Sequence, residues 1–466
     1  MNLQVRIRLA ALVAVTSGLL VLAVSKAEDK PKEPANPAEK KETTKTERVD
    51  PKPLSDAVKK GLEYLIKQQH ENGGWGQGGG WRVNLDPKQQ GGRIEGANVE
   101  DPADVGNTAI ASLALIRAGN TLTEGPYAKQ VKNAVDFLCD FIEKSDEKSL
   151  YVTNVKGTQI QSKIGPYVDT FLVNMVLAEL KGKKADEKSE KRLVAALTKT
   201  ISKIEKNQEK DGTFKGNNGW ASVLSQGLAN KSLARAAQNG AAVDGESLRR
   251  VQNQVASNFD GNSGTFRMAG GGAGGDGLGR GAVSGRSSSL GAGAGGIGGP
   301  SDAGVPIYGA GQNLTNSADV SAALKTKAEK AKETLNRKDA TDKEKKEAEE
   351  TIKLVERNEK LREEATKGVV KQLDQAQFVN GFGSNGGEEF LSYMNISEAL
   401  LLKGGADWKK WDQKMTDNLV RVQDKDGSWS GHHCITGKTF CTATALLVLM
   451  ADRAPIQPEQ GCCESK

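Results

Sequence analysis

The stretch Lys60-Gly61-Leu62-Glu63-Tyr64-Leu65-Ile66-Lys67-Gln68-Gln69-His70-Glu71-Asn72-Gly73-Gly74-Trp75 decides how this chain is read. Leu62, Leu65 and Ile66 stand at helical spacing, and the glycines after Gln69 offer the helix an exit. The pattern returns twice. Aligned on Gln69, Gln208 and Gln423, each copy has an aromatic six residues on: Trp75, Phe214 and Trp429. Two residues before the aromatic stands Gly73, Gly212 or Gly427. Four before the glutamine is Leu65, Ile204 or Leu419, and nine before it Lys60, Lys199 or Lys414. A fourth copy, Leu373, Gln377, Gly381 and Phe382, is one residue shorter in its turn. Five matched positions in three distant copies mark an internal repeat. The glycine allows a left-handed exit from the helix. The glutamine can bond backbone groups left open at the helix end, and the aromatic can cover that bond. These residues therefore read as architecture rather than catalysis.

Working outward, apolar residues recur at helical spacing from Val58 to Ile66 and again over 108–118, 131–142, 168–180, 193–204, 221–237 and 248–259. They continue over 314–335, 351–376, 390–402, 408–422 and 440–451. That predicts twelve helices in six hairpins and an all-α fold, with only Ser149–Val155 alternating like a strand. Two stretches interrupt the rhythm. Residues 261–311 hold 20 of the 54 glycines and predict a flexible insertion. Its Gly277-Leu278-Gly279-Arg280-Gly281 lacks the strand and helix that a phosphate loop needs. Residues 317–367 predict a charged helical hairpin protruding from the body. From Lys325 to Lys367 it carries 14 basic and 12 acidic side chains, interleaved as on a solvated face.

The ends read differently. Arg6 and Arg8, the uncharged stretch Leu9–Val24, and Ser25-Lys26-Ala27 form the three parts of an export signal over 1–27. If uncleaved, residues 9–24 would tether the chain to a membrane. Residues 28–53 are Lys, Glu, Pro and Thr with almost no large apolar side chain, the composition of a disordered tether. The helical body spans 54–454, and 455–466 is a polar tail containing Cys462 and Cys463. Net charge is +6, and without residues 1–27, which hold three of the 65 basic residues and no acid, it is 62 − 59 = +3. So weak a balance argues against a nucleic-acid partner.

The repeat resembles the glutamine-tryptophan motif of the squalene-hopene cyclase and protein prenyltransferase superfamily. The resemblance covers about residues 54–454, less the two interruptions. It implies an α/α toroid of about six hairpins, with inner helices around a central cavity and outer helices around them. Relatives of that shape cyclise terpenoids, prenylate proteins, carry thioesters or bind partners, so the resemblance does not choose an activity.

No motif of those chemistries is complete here. The cyclase acid, Asp-x-Asp-Asp, has no match, and the nearest candidates for a catalytic acid are Asp104 and Asp169, which also suit helix starts. Only 22 aromatic residues are present, few for a cavity that stabilises carbocations. His432, His433 and Cys434 have residue types that suit zinc, but the acid-x-Cys partner expected from prenyltransferases is missing. In an oxidising compartment Cys434 and Cys441 are candidates for a disulfide, with two free thiols as the alternative. The thioester order Gly-Cys-Gly-Glu-Gln is absent. Polysaccharide processing would need two facing carboxylates, for which Asp104, Asp169, Glu388 and Glu389 are available. No cofactor is implied. The expectation is an exported binding or scaffolding module of the cell envelope, with an unknown protein or a lipid-like ligand as partner. The alternative is an enzyme acting on an isoprenoid or a polysaccharide in the central cavity.

Overall fold

The computed structural model describes residues 49–455 apart from 87, 89–91, 97–98, 220, 261–264, 267–303 and 374–385. The expected export signal, residues 28–48, most of the glycine-rich segment, Gln377, Gly381 and Phe382 of the fourth repeat, and residues 456–466 lie outside the described residues. Elements run α1 Asp56–Gln68, β1 Arg82–Val83, β2 Arg93–Ile94, α2 Val105–Arg117, α3 Ala128–Lys144, α4 Gln159–Lys163, α5 Val168–Leu180, α6 Glu187–Asn207, α7 Ser222–Gln238 and α8 Gly245–Asn258. They continue β3 Phe259–Asp260, β4 Thr265–Phe266, α9 Gly304–Asn336, α10 Asp342–Leu373, α11 Gly387–Lys403, α12 Gly405–Arg421 and α13 Lys438–Leu449. The two short antiparallel pairs, β1–β2 and β3–β4, are the strands among the described residues.

The protein is therefore all-α in its body, and its helices fall into two kinds. α2, α5 and α13 are apolar nearly all round and, apart from Lys438 at the start of α13, buried along their whole length, as helices inside a large core must be. With α7, α9 and α11 they form a closed cycle of contacts. α2 packs on α5, α5 on α7, α7 on α9, α9 on α11, α11 on α13, and α13 returns to α2. The other long helices, α1, α3, α6, α8, α10 and α12, each bury one stripe against this set. No helix among the described residues is long and apolar enough to cross a membrane.

The repeat residues connect neighbouring elements of the second set. Gln69 Nε2 donates to Gly73 O (2.8 Å) and also to Gln130 O on α3 (3.0 Å). Gln423 Nε2 donates to Gly427 O and to Ala57 O on α1, both at 2.9 Å. Gln208 reaches Ser247 O on α8. The glycines have φ of +87°, +86° and +87°, and a Cβ on each would collide with the next helix, at Asn133 O, Arg250 O and Lys60 O respectively. Two of the repeat lysines cap the preceding helix of the second set, Lys199 on Ser145 O at the end of α3 and Lys414 on Leu373 O at the end of α10. Trp75 and Trp429 donate their indole N–H to Leu65 O (2.7 Å) and Leu419 O (2.9 Å). Each repeat therefore ends one helix and docks its neighbour.

Four expectations change. Ser149–Val155 forms no strand, because the chain there has no partner strand and Leu150 O is taken by the Thr170 hydroxyl. The glycine-rich segment does not extend to 311: α9 starts at Gly304, where Pro306 fits a first turn and Tyr308 and Ala310 are buried. The charged hairpin does not start at 317, since Ser317, Asp319, Val320 and Leu324 are buried within the helix cycle. Nor is the tether free up to 53. Val49 packs on the core, Lys52 N donates to Asp452 Oδ2 (2.7 Å), and Arg453 holds Lys52 O.

Candidate functional site

The N-terminal ends of the cycle helices collect buried acids. Asp104 caps α2: its Oδ1 accepts the Asn107 backbone N–H and its Oδ2 the Asn107 side-chain amide, both at 2.9 Å. Burial, and then the charge of Asp169, push Asp104 up to about 7. Asp169 lies in the first turn of α5, where Gln161 Nε2 donates to its Oδ2 (2.8 Å), and burial pushes it up to about 6. Glu388 opens α11. Its Oε2 accepts Ile435 N–H (3.3 Å), and burial pushes it up to about 7. Beside it, the Tyr393 hydroxyl donates to Glu389 Oε1 (2.7 Å). The two acids singled out from sequence, Asp104 and Asp169, thus come together, while Glu388 sits at another junction, between α11 and the loop before α13.

That loop holds His432, His433 and Cys434. Cys434 has φ +60°, the one non-glycine residue with positive φ among the described residues, a conformation that costs on the order of 1–3 kcal/mol and needs its surroundings to hold it. Here the surroundings are explicit. Trp81 Nε1 donates to Cys434 O (2.7 Å), and Glu388 holds the N–H of the next residue. His433 Nδ1 lies 3.0 Å from Cys434 Sγ. Burial and the neighbouring Glu388 push the thiol up to about 11, so it is not a ready nucleophile. The expected Cys434–Cys441 disulfide is not formed; both are free thiols. Cys441 is fully buried on α13 with its sulfur on Ile435 O, and the left-handed turn at Cys434 directs that sulfur to His433 instead. His433 and Cys434 meet, yet among the described residues no three His, Cys, Asp or Glu converge on a metal position.

Three connections are tied together over these helix ends. Gln77 and Gln159 both donate to Trp81 O, Gln159 N donates to Gln77 Oε1 (2.6 Å), and Gln159 Oε1 accepts from Thr436 N and Gly437 N. Asp101 accepts from Gln77 N, Gly78 N and Arg82 Nη2, each at 2.8 Å, which holds its carboxyl low despite burial. The Trp81 ring carries the Arg93 guanidinium on its face (4.1 Å).

Toward the C-terminal ends of the same helices lies a feature that sequence reasoning missed. Arg117, Glu179, Lys231, Arg235, Asp319 and Glu398, from α2, α5, α7, α9 and α11, form one buried ion-pair network. Arg117 pairs with Glu398 at 2.9 Å and with Glu179 at 3.1 Å; Arg235 reaches Asp319 at 2.9 Å and Glu398 at 3.1 Å; Lys231 also bonds Glu398. Burial raises Glu398, but Lys231, Arg235 and Arg117 outweigh it and hold the carboxyl far below its usual range. α2 and α11 are not neighbours in the cycle, so their charges meet across its middle. One signal was available for three of the six: Arg117, Glu179 and Glu398 are charges late in apolar stretches of α2, α5 and α11. Taken one helix at a time, each looks like a favourable or neutral helix-end residue.

Compared with known protein families and with curated protein sequences, the chain matches none.

Proposed function

We propose that this chain is an exported α/α toroid of the squalene-hopene cyclase and prenyltransferase repeat type that works as a binding or scaffolding module. The closed cycle of apolar helices, with repeat residues stapling the helices around it, supports the architecture. One observation carries the choice against terpenoid cyclisation. The middle of the cycle holds six buried charges where a carbocation enzyme needs an apolar, aromatic-lined cavity. A binding module needs no such cavity, and the long α9–α10 pair gives it an exposed, charge-interleaved arm.

A second reading has its own support. Asp104, Asp169 and Glu388, raised to about 7, 6 and 7, have values suited to acid–base chemistry near neutral pH, as a polysaccharide-cleaving enzyme would use. Native mass spectrometry of the exported protein separates the readings. The expected result is the mass of the bare chain without residues 1–27, with no bound isoprenoid. A co-purifying isoprenoid, or cleavage of an added polysaccharide that disappears in Glu388→Gln, would overturn the binding-module reading.

A further inference from the structure

α1 and α6 end on a repeat glutamine, Gln69 or Gln208, and the aromatic that follows, Trp75 or Phe214, is buried. α12 follows the same pattern with Gln423 and Trp429. α3 departs from it. Ser145 stands at its end with the same extended backbone as Gln69 and Gln208, and its short hydroxyl turns back to Ile142 O (2.7 Å). The place of the aromatic falls to Leu150. The Thr170 hydroxyl on α5 bonds Leu150 O as Thr108 on α2 bonds Trp75 O and Thr442 on α13 bonds Trp429 O. A cavity of about 330 Å³, open to solvent, lies at this helix exit. It is lined by Phe141, Lys144 and Asp146 around the end of α3 and by the run Tyr151–Asn154 that follows Leu150.

The walls of this cavity both donate and accept. Lys144 and Asn154 are exposed, and neither side chain forms a hydrogen bond or ion pair among the described residues. The backbone N–H groups from Tyr151 to Asn154 have no partner among the described residues either, whereas that of Val155 is taken by the Thr153 hydroxyl oxygen (3.0 Å). Asp146 accepts from the Ser149 hydroxyl and N–H and from the Lys148 N–H, which hold its carboxyl well below the usual range, so it stays charged. Phe141 and Tyr151 add two aromatic rings. A lipid tail would leave these polar groups dry and unpaired. A phosphate would meet one unpaired ammonium beside a fixed carboxylate. A sugar ring matches both kinds of wall, with an apolar C–H face for the aromatics and a rim of hydroxyls that each donate and accept. The volume also fits, since small-molecule sites begin at about 300 Å³. We propose that the end of α3 and the run Tyr151–Asn154 form a binding pocket for one sugar unit, free or at the end of a glycan. Occupancy of this pocket needs no catalysis, so it is independent of whether Glu388 serves in cleaving a polysaccharide.

The test uses the full exported chain, titrated with glucose, galactose and N-acetylglucosamine, each free and as its tetramer, and read by saturation-transfer NMR and calorimetry. Expected is saturable binding of at least one of these sugars. Asn154→Ala removes an exposed amide, should leave the thermal midpoint in place, and should lower affinity about tenfold. Tyr151→Ala should lower it as much, while Glu388→Gln on α11 and Lys343→Gln on the arm should leave it unchanged. A free sugar that binds as tightly as its tetramer identifies the free sugar as the ligand; a tetramer about tenfold tighter identifies a glycan. Absence of saturable binding up to tens of millimolar sugar would overturn the proposal, and so would binding that Asn154→Ala and Tyr151→Ala both leave intact. Binding that is lost in Glu388→Gln would place the sugar at α11 and overturn it as well.

Discussion

Trp75 and Trp429 each place an indole N–H on a carbonyl ten residues upstream, at the end of α1 or α12. Both rings are fully buried, so no water can replace that donor. Trp75→Phe keeps most of the apolar packing and leaves Leu65 O without it. The expected loss is about 1–3 kcal/mol, read by urea unfolding; a change below about 0.5 kcal/mol would show that the indole acts through its bulk alone. Phe214, the aromatic of the α6 repeat, has no N–H to give and instead meets Phe171 at 5.1 Å between ring centres. The glutamines and glycines of the repeat were legible as helix-exit residues, since a left-handed turn and an open helix end are local properties. Their second role, docking the next helix, was not legible, because Gln130, Ser247 and Ala57 are chosen by packing and leave no mark near the glutamine. The charged network was hidden for a similar reason. Glu398→Gln tests it: three cations would then face two acids in a closed interior, and a loss of about 3–5 kcal/mol is expected. A loss within 1 kcal/mol would mean that the network does little to hold the cycle.

Among the elements, α9 and α10 differ most from the rest. They have 33 and 32 residues, against 12 to 21 for the other long helices of both sets. The first half of α9 is buried among polar and small side chains, and the second half pairs with α10 away from the core. Sequence reasoning found this pair from its charges and placed its root too far along, because Gln312, Asn313, Thr315, Asn316 and Asp319 do not look like core residues. They are buried because α7 and α11 answer them: Asn395 Nδ2 donates to Gln312 Oε1 (2.9 Å), and Gln238 Nε2 to Asp319 O (2.9 Å). The root and the tip should therefore respond differently to change. Replacing residues 330–349 with a short turn is expected to move the thermal midpoint by no more than about 3 °C. Asn358→Leu, at the root, removes the amide that bonds Ser317 O (3.1 Å) and Ser321 Oγ (2.6 Å), and should cost about 1–3 kcal/mol. Equal losses from both changes would show that the tip belongs to the fold.

At the scale of the whole molecule, the two ends of the helix cycle oppose each other in pH. Glu388, raised from 4.5 to about 7 by burial, binds its proton more tightly folded than unfolded. Its contribution to stability is full below about pH 4.5 and is lost as pH rises through 7. Glu398 is shifted the other way: burial is outweighed by Lys231, Arg235 and Arg117, so its contribution is present above 4.5 and is lost in acid. Asp426, held down to about 2 by Ser428 and Lys438 against its burial, follows the same sign from an exposed position and contributes less. The thermal midpoint is therefore expected to peak at about pH 4.5 and to fall on the alkaline side of that peak, over the window up to about pH 7 in which the unfolded chain has lost the Glu388 proton and the folded chain still holds it. Glu388→Gln should flatten that alkaline fall, because a glutamine can still accept the Ile435 N–H without carrying a charge. The same substitution should leave the acid side unchanged, since Glu398 lies at the far end of the cycle helices. An alkaline fall as steep in Glu388→Gln as in the unsubstituted chain would move its cause to the other buried acids raised by burial, Asp104 and Asp169 at the α2–α5 junction.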